Sequence, residues 1–343
     1  MPNWPCRACA RGRCASVPEG PVEFCVRGIE HSTGAGAPPG RSDARPWFCD
    51  DVWGESPPGS DLEATGPKWG AVLVAGSLDP KVAMRLIDTH AHLDEESFDG
   101  DLTEVLGRAR AVGVEAVLSL GTTFESSRRM VELAHRHPDL YAAVGVHPNY
   151  TAPATEGDWQ GVCELARDAR VLAIGETGLD LYWKTVPLPH QVDWFRRHLE
   201  LSRQTGKPVS IHCREAESEV VAELRHAAAE GPVRGVMHSF AGSWETAEAC
   251  LALGLYVSFS GIATYKKSEA LRELIRKIPR DRMLVETDSP YLSPQPVRGK
   301  RNEPAHVLMT AEVLARELGC SLEELGELTT ENARRLFGMV DRA

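Results

Sequence analysis

From residue 85 onward, short runs of apolar residues recur along the chain, separated by longer and more polar stretches. Apolar runs of this length are typical of strands that are buried on both faces of a parallel sheet. We therefore predict one strand at each of eight such runs. The runs are Leu86–Ile87, Ala116–Leu120, Ala142–Val146, Val171–Ile174, Val209–Ile211, Val233–Met237, Leu255–Phe259 and Met283–Val285.

Most of the stretches between these runs carry apolar residues at helical spacing. Before the first of them, Asp101 and Glu104 have the spacing of a capping box, in which side chain and backbone N–H bond reciprocally. A second helix is predicted over residues 190–205, and Ser321 with Glu324 predicts the start of the last one. The apolar positions of the first helix are Leu102, Val105, Leu106, Ala109 and Val112.

Residues that can bind a metal follow five of the eight runs. His90 and His92 are two positions apart, so on an extended strand both imidazoles point to the same side. The other candidates at the ends of runs are Glu176, His212, His238 and Asp288. Side chains from so many strand ends form one site only if the strands converge. The sequence therefore predicts a metal site gathered from several strand ends, as in parallel α/β barrels.

Strands that alternate with helices over about 250 residues have the size and rhythm of a (β/α)8 barrel, an α/β fold also called a TIM barrel. An open, doubly wound sheet is the alternative. The metal-binding candidates follow the first, fourth, fifth, sixth and eighth runs, and these meet only when the sheet closes. The barrel is therefore the predicted fold, over a domain of residues 84–343.

Residues 1–83 differ from the rest of the chain, since they are rich in Pro, Gly, Ser and Arg and show little periodicity. Such a segment buries too little apolar surface to offset chain entropy, so we predict a disordered extension. Cys6, Cys9 and Cys14 suggest a structural zinc module, but a fourth ligand at regular spacing is missing. A third interpretation is that Met84 is the true start and the upstream segment is not translated.

The formal net charge is −11, and no basic tract is concentrated anywhere in the chain. A broad electrostatic surface for duplex nucleic acid is therefore not expected, and a polyanionic substrate would be held locally. No apolar stretch is long enough to span a bilayer, and the N-terminus lacks an apolar signal-peptide core. We expect a cytoplasmic protein with no membrane partner and no obligate protein partner.

The candidate ligands are imidazoles and carboxylates without a thiolate, which suits Mg²⁺ or Mn²⁺, with Zn²⁺ as an alternative. Six ligands exceed what one open catalytic centre uses, so two divalent cations are predicted. Glu176 would bridge them: one cation bound with His90, His92 and Asp288, the other with His212 and His238. Two cations about 4 Å apart can activate a water and neutralise the oxygens of a phosphoryl group. Asp288 is the predicted general base, since it follows the last strand.

Seven motifs together resemble the TatD family of metal-dependent deoxyribonucleases, in family order and over residues 85–338. They are "DTHAHLD", "VGVHPNY", "IGETGLDLYW", "VSIHCREA", "MHSFAG", "VETDSPYLSPQPVRGKRNEP" and "NARRLFG". The resemblance implies a (β/α)8 hydrolase that cleaves DNA phosphodiesters, often as a 3′→5′ exonuclease on single strands. It assigns metal-ligand positions to His90, His92, Glu176, His212, His238 and Asp288, and a phosphate contact to His147.

Further residues are candidates for substrate binding. Arg214 follows a ligand histidine and is a candidate for a bidentate phosphate contact. The proline-rich loop after Asp288 carries Tyr291, a candidate for base stacking, and Arg298, a candidate backbone contact. Arg301 and Lys300 lie on the same loop, Glu303 is predicted to pair with one of its arginines, and Lys266 with Lys267 offers a weaker phosphate contact. The plain alternative for Arg214 and for the lysine pair is a solvated charge, and for the proline-rich loop it is a segment that merely leads the chain to the last helices.

Two other functional classes stay open from the sequence. The same fold hydrolyses amides, lactones or aminoacyl esters in amidohydrolases, many of which bridge their metals with a carboxylated lysine on the fourth strand. Glu176 stands at that place here, which favours the nuclease but leaves aminoacyl-tRNA ester hydrolysis possible. The third class is a non-enzymatic nucleic-acid-binding protein on a degenerate barrel, and it is disfavoured because no ligand position is missing.

Overall fold

Eight parallel strands form one sheet in strictly sequential order, β1 to β8, in a computed structural model that describes residues 84–339. The strands are β1 Leu86–Ala91, β2 Val114–Leu120, β3 Leu140–Val144, β4 Val171–Asp180, β5 Val209–Arg214, β6 Gly235–Met237, β7 Tyr256–Phe259 and β8 Met283–Val285. All eight predicted strands are confirmed, although β4 runs six residues beyond its predicted end at Ile174. The expectations for residues 1–83, including the cysteine module, lie outside the described residues.

Helices follow the strands in the way that a (β/α)8 barrel requires. They are α1 Leu102–Ala111, α2 Phe124–Arg136, α3 Glu156–Leu165, α4 Leu188–Thr205, α5 Glu217–Glu230, α6 Trp244–Ala252, α7 Glu269–Ile275, α8 Val307–Leu318 and α9 Leu322–Phe337. The predicted box of Ser321 and Glu324 is present at the start of α9. The predicted box at α1 is wrong, because the Asp101 carboxylate makes no cap bond and instead accepts hydrogen bonds from Arg301 and Arg108.

The sheet closes between its first and last strands through backbone bonds just beyond β8. The N–H of Asp288 donates to the carbonyl of His90 at 2.8 Å, and the N–H of His92 donates to the carbonyl of Ser289 at 2.6 Å. Ala91 and Ser289 form a parallel bridge at the same place. Closure therefore occurs next to the histidine pair, which draws the residues after β8 over the end of β1.

Two apolar clusters hold this arrangement together. The larger lies between the sheet and the surrounding helices, and it includes most of the buried side chains of α1, α4, α5 and α8. The smaller combines strand residues such as Ile87, Leu118 and Leu284 with Leu336 and Phe337 of α9. Successive side chains of a strand face opposite sides, so these strand residues fill the interior of the barrel. Helix α9 covers the end of the barrel at which the strands begin.

Backbone freedom matters at one position beside the candidate site. Gly175, which directly precedes Glu176, has a φ of 136°, a conformation that side-chain-bearing residues rarely adopt. A Cβ atom there would lie 2.7 Å from the backbone oxygen of Ser210 on β5. Glycine therefore lets β4 and β5 approach closely where they deliver Glu176 and His212.

Among the described residues, no helix has the length and apolar character needed to cross a bilayer.

Candidate metal centre

The six predicted ligands converge at the carboxyl ends of the strands, around the buried carboxylate of Glu176. Its Oε2 lies 3.6 Å from Nε2 of His90 and 3.3 Å from Nε2 of His92. Oδ1 of Asp288 completes this side, at 3.7 Å and 3.4 Å from the same two nitrogen atoms. Four of the candidates thus face one another from β1, β4 and the segment after β8.

The other oxygen of Glu176 faces a separate pair of histidines. Its Oε1 lies 2.9 Å from Nδ1 of His212 and 3.0 Å from Nε2 of His238. The two carboxylate oxygens are therefore shared between two sets of imidazoles, which is the arrangement of a bridging ligand. The division of the six residues between two cations stays a prediction, and the donor set of imidazole nitrogen and carboxylate oxygen suits divalent cations.

A backbone carbonyl orients the ring of His92, which directly follows β1. Nδ1 of His92 lies 3.0 Å from the carbonyl oxygen of Leu120, an acceptor only, so Nδ1 carries the proton. The lone pair of the neutral ring is then on Nε2, the atom that faces Glu176 and Asp288. Such a bond from the remote ring nitrogen is the usual support of a metal-binding histidine.

Asp88, which the sequence analysis did not single out, lies beneath this pair and is fully buried. Its carboxylate accepts from the N–H of Thr287 at 2.9 Å, from the hydroxyl of Thr287 at 2.6 Å and from the N–H of His90 at 3.3 Å. Burial raises the pKa of Asp88 to about 8. Asp88 thereby ties the end of β1 to the residue before Asp288. Its position two residues before His90 was the available signal.

The carboxylates at the centre stay ionised despite their burial. Burial opposes ionisation of Glu176, but the charged ring of His238 and the hydrogen bonds from His212 and His238 hold its pKa well below the usual range. Burial likewise opposes ionisation of Asp288, but the hydrogen bond to His92 and the nearby histidines lower its pKa. For His238, burial is outweighed by Glu176 and Glu286, which raise its pKa to about 10. Binding a cation there requires release of that proton.

His147 lies in the site three residues after β3, with Nε2 at 3.6 Å from Oε1 of Glu176. The N–H of Asn149 donates to its Nδ1 at 3.1 Å, so the neutral ring carries its proton on Nε2. Burial lowers the pKa of His147 to about 3, which keeps the ring neutral. The side chain therefore offers an N–H to the site rather than a lone pair.

Asp180 and Glu286 also border the site and were not singled out from the sequence. Asp180 ends β4 and lies 3.1 Å from Nε2 of His212, while Glu286 follows β8 and lies 3.4 Å from Nδ1 of His238. Asp180 stands four residues after Glu176 on an extended strand, a spacing that places both on one face and that was the missed signal. Glu286 directly follows β8, two residues before Asp288.

The other predicted substrate contacts lie against aromatic neighbours. The guanidinium of Arg214 stacks 3.8 Å from the ring centre of Tyr182, and that of Arg298 stacks 4.4 Å from the ring centre of Tyr265. The ring centre of Tyr291 lies 6.0 Å from that of His92, one of the metal-ligand candidates. Its hydroxyl donates to Glu95 at 2.9 Å. Lys266 and Lys267 are exposed.

The predicted pairing of Glu303 with an arginine of its own loop is wrong. Glu303 accepts hydrogen bonds from Arg108 of α1, at 2.7 Å for the shortest, while Arg301 bonds Asp101. Both bonds tie the loop after Asp288 to the start of α1.

Cys213, next to His212 in the sequence, is absent from every candidate ligand group among residues 84–339. Burial raises the pKa of its thiol to about 12.

Comparison with known proteins agrees with the fold. The family model "TatD related DNase" matches residues 87–338. The chain is 42% identical over 252 residues to the uncharacterized metal-dependent hydrolase YabD of Bacillus subtilis, covering 74% of this chain and 98% of that protein. It is 36% identical over 258 residues to the 3′-5′ ssDNA/RNA exonuclease TatD of Edwardsiella piscicida, covering 74% and 99%.

Solved structures give the same result. The crystal structure of YJJV, a TatD homologue from Escherichia coli K12, superposes with a TM-score of 0.72 at 29% identity, over 75% of this chain and all of that one. A parallel eight-stranded barrel with imidazoles and carboxylates at its strand ends defines a metal-dependent hydrolase of the (β/α)8 class. Within that class, the chain belongs to the TatD family.

Proposed function

We propose that this enzyme hydrolyses phosphodiester bonds of single-stranded DNA in the 3′→5′ direction, with two divalent cations, Mg²⁺ or Mn²⁺ first and Zn²⁺ as the alternative. One observation carries the proposal. The two oxygens of Glu176 face separate histidine sets, at 3.3 Å from His92 and at 2.9 Å from His212. A bridged pair of cations is the arrangement that supports in-line displacement at phosphorus. The TatD relative from Edwardsiella piscicida, a 3′-5′ ssDNA/RNA exonuclease, supports the choice of substrate.

In this proposal, His90, His92, Glu176 and Asp288 hold one cation, and Glu176, His212 and His238 hold the other. Bound cations of this kind polarise phosphoryl oxygens and make a water more acidic. Asp288 has a lowered pKa and is ionised, so its carboxylate can accept the proton of the attacking water. The Nε2–H of His147 points into the same space and donates to a non-bridging phosphate oxygen.

Substrate grip comes from a few local groups, because the formal net charge of −11 offers no broad basic surface. Arg214 lies two positions after His212, and its guanidinium stacks on the ring of Tyr182. In this proposal the guanidinium contacts a phosphate of the substrate. Tyr291, against His92, stacks on a base, and Arg298 contacts the backbone of the strand. Nucleotides held at these points would bring the scissile phosphate to the residues that hold the cations.

The test is a gel assay on single-stranded DNA labelled at its 5′ end, with Mg²⁺, Mn²⁺ or Zn²⁺ added to chelator-treated enzyme. We expect stepwise shortening from the 3′ end, with duplex DNA cut more slowly. Asp288→Asn keeps the size but removes the basic oxygen, so it should lower the rate by at least about 100-fold while DNA binding persists. Asp281→Asn, at an exposed side chain before β8, is the matched control and should behave as wild type.

If single-stranded DNA stays intact with each of the added cations, the proposed nuclease activity is refuted. Release of an amino acid from aminoacyl-tRNA under the same conditions would then move the protein to ester hydrolysis on the same fold. Near-wild-type cleavage by Asp288→Asn would keep the nuclease and remove the role assigned to Asp288.

A further inference from the structure

His212 and His238 each have Glu176 at one ring nitrogen and a second carboxylate at the other. For His212, Nδ1 is 2.9 Å from Oε1 of Glu176 and Nε2 is 3.1 Å from Oδ2 of Asp180. A neutral imidazole carries one proton, so one ring nitrogen donates and the other offers its lone pair. The nitrogen that loses the competition for the proton is the one that can bind a metal.

The surroundings of Asp180 settle this competition. Asn149 donates its side-chain N–H to Oδ2 at 3.0 Å, and the N–H groups of Tyr182 and Trp183 donate to Oδ1 at 3.0 Å and 3.1 Å. Asp180 is therefore an acceptor from every side, and an ionised carboxylate has no proton to give. Nε2 of His212 must donate to it, which leaves the lone pair on Nδ1, facing Glu176.

Glu286 stands in the same relation to His238, on the opposite side of the site. Its Oε1 accepts from the N–H of Ser239 at 2.7 Å and lies 3.4 Å from Nδ1 of His238. Within residues 84–339, neither Nδ1 of His238 nor Oε2 of Glu286 has a hydrogen-bond partner of normal geometry, and both atoms are buried. Glu286 is the acceptor available to Nδ1–H, so the lone pair of His238 is on Nε2, 3.0 Å from Oε1 of Glu176.

We propose that Asp180 and Glu286 are positioning residues that fix the tautomers of His212 and His238, so that the second cation is bound through Nδ1 of one ring and Nε2 of the other. The inference rests on the metal centre proposed above and is independent of the substrate. A carboxylate behind a metal-binding imidazole orients the ring and makes it a stronger ligand.

A competing arrangement uses the same residues differently, with Asp180, His147 and His212 as ligands of an additional cation. The N–H of Asn149 opposes it, because that donor occupies Nδ1 of His147 and leaves a proton on Nε2. The donors around Asp180 oppose it too, since the N–H groups of Tyr182 and Trp183 occupy Oδ1 and Asn149 donates to Oδ2, the oxygen that faces His212. The two arrangements place the proton of His212 on different atoms, and this makes them distinguishable.

The first experiment reads the tautomers directly in the full-length, Zn²⁺-loaded protein with ¹⁵N-labelled histidine. Long-range ¹H–¹⁵N NMR correlations show which ring nitrogen is protonated and which is bound to zinc. We expect the proton of His212 on Nε2 and the proton of His238 on Nδ1. A proton on Nδ1 of His212, or zinc bound at its Nε2, would overturn the proposal without any variant being made.

The second experiment uses three substitutions with different expected effects on zinc binding. Glu286→Gln can keep its oxygen toward Ser239 and His238 and place its NH₂ where Oε2 has no partner, so it should bind zinc as wild type does. Glu286→Leu removes the acceptor and should weaken the second zinc equivalent by about 10–100-fold. Asp180→Asn must point its NH₂ at N–H donors on one side or the other, and should weaken the same equivalent by a similar factor.

Titration against a chromogenic chelator measures both zinc equivalents, with Glu248→Leu on the exposed face of α6 as control. Rescue by Glu286→Gln separates an orienting bond from a packing role, since the leucine fills the same space without accepting. Zinc isotherms of Glu286→Leu and Asp180→Asn that overlay wild type would refute the proposal. Because no nucleic acid is present, an enzyme that leaves DNA intact but shows the expected tautomers would refute only the proposed substrate.

Discussion

Histidines in this site differ in function because the backbone group that contacts Nδ1 differs from one ring to the next. His92 donates from Nδ1 to the carbonyl of Leu120, whereas His147 accepts at Nδ1 from the N–H of Asn149. The first ring therefore presents a lone pair to the centre and the second presents a proton. The two histidines look equivalent in the sequence, and only a backbone group near each one separates ligand from donor.

At this scale, removal of Glu176 tests the bridge. We expect Glu176→Ala to retain neither cation after dialysis and to lose all activity, because both histidine sets lose their shared carboxylate. His212→Ala should mainly empty one site. Elemental analysis of the dialysed proteins gives the count, with Glu248→Ala as an exposed control. One cation retained by Glu176→Ala, or a single equivalent in wild type, would contradict the two-cation arrangement.

A second residue-scale prediction concerns His198, which is buried away from the metal centre. Nδ1 donates to the carbonyl of Trp194 at 2.7 Å, Nε2 accepts from the N–H of Val146 at 3.0 Å, and burial lowers the pKa to about 4. The folded state therefore favours the neutral ring, while the unfolded chain takes up a proton near pH 6.5. Stability from this residue is present above about pH 6.5 and is lost as the pH falls toward 4, by on the order of 3 kcal/mol.

His198→Gln offers one donor and one acceptor but does not titrate, so it should lack this loss. Urea unfolding of both proteins at several pH values between about 4 and 7.5 measures the difference in their free energies of unfolding. We expect that difference to shift in favour of the variant by on the order of 3 kcal/mol as the pH falls. Parallel pH profiles would show that His198 has no part in acid sensitivity.

Among the elements, α9 closes the end of the barrel opposite the metal centre. The hydroxyl of Thr330 donates to the carbonyl of Arg85 before β1, and the amide of Asn332 donates to the carbonyl of Met283 at the start of β8. Phe337 extends the apolar cluster inside the barrel and is 4% exposed. The helix thus joins the first and last strands at their amino ends, as the bonds around Asp288 join them at their carboxyl ends.

Truncation of Phe337 tests the contribution of this helix to stability. We expect Phe337→Ala to lower the free energy of unfolding by about 3–5 kcal/mol, because it empties a buried aromatic position. Specific activity of the folded fraction should persist, since the substitution lies at the far end of the strands. Chemical denaturation gives the first quantity, and Glu331→Ala on the exposed side of α9 is the control. A loss below about 1 kcal/mol would mean that α9 does not seal the barrel.

For the whole molecule, the family match begins at residue 87 and the described structure begins at residue 84. The alignments with the two relatives cover 74% of this chain and nearly the whole length of each relative, and the family match does not include the residues before 87. The predicted boundary near Met84 therefore has a direct test in the behaviour of the chain without those residues.

We expect proteins comprising residues 1–343 and 84–343 to share melting temperature, metal content and specific activity. The reason is that β1 starts at Leu86, so no strand or helix of the barrel is removed. Limited proteolysis of the longer protein should stop near Lys81 or Arg85. An insoluble or inactive shorter protein would place part of the N-terminal segment inside the enzyme.

The sequence alone determined the strands, the barrel and the six convergent residues, because these follow from local patterns. Burial on both faces requires continuous apolar runs, and parallel strands bring their carboxyl ends to one side. His90 and His92 share a face simply because a strand repeats every two residues. The capping box at Ser321 belongs here too, since all its partners lie within four positions.

Only the tertiary structure decided which atoms of those residues face one another and which other groups support them. Asp88 bonds Thr287 across 199 positions of sequence, and Arg108 reaches Glu303 across 195. The end of β4 at Asp180 was likewise set by pairing with β5, not by its own apolar run. Partners of this kind are chosen by closure of the barrel, and a local pattern carries no record of which distant strand will lie alongside.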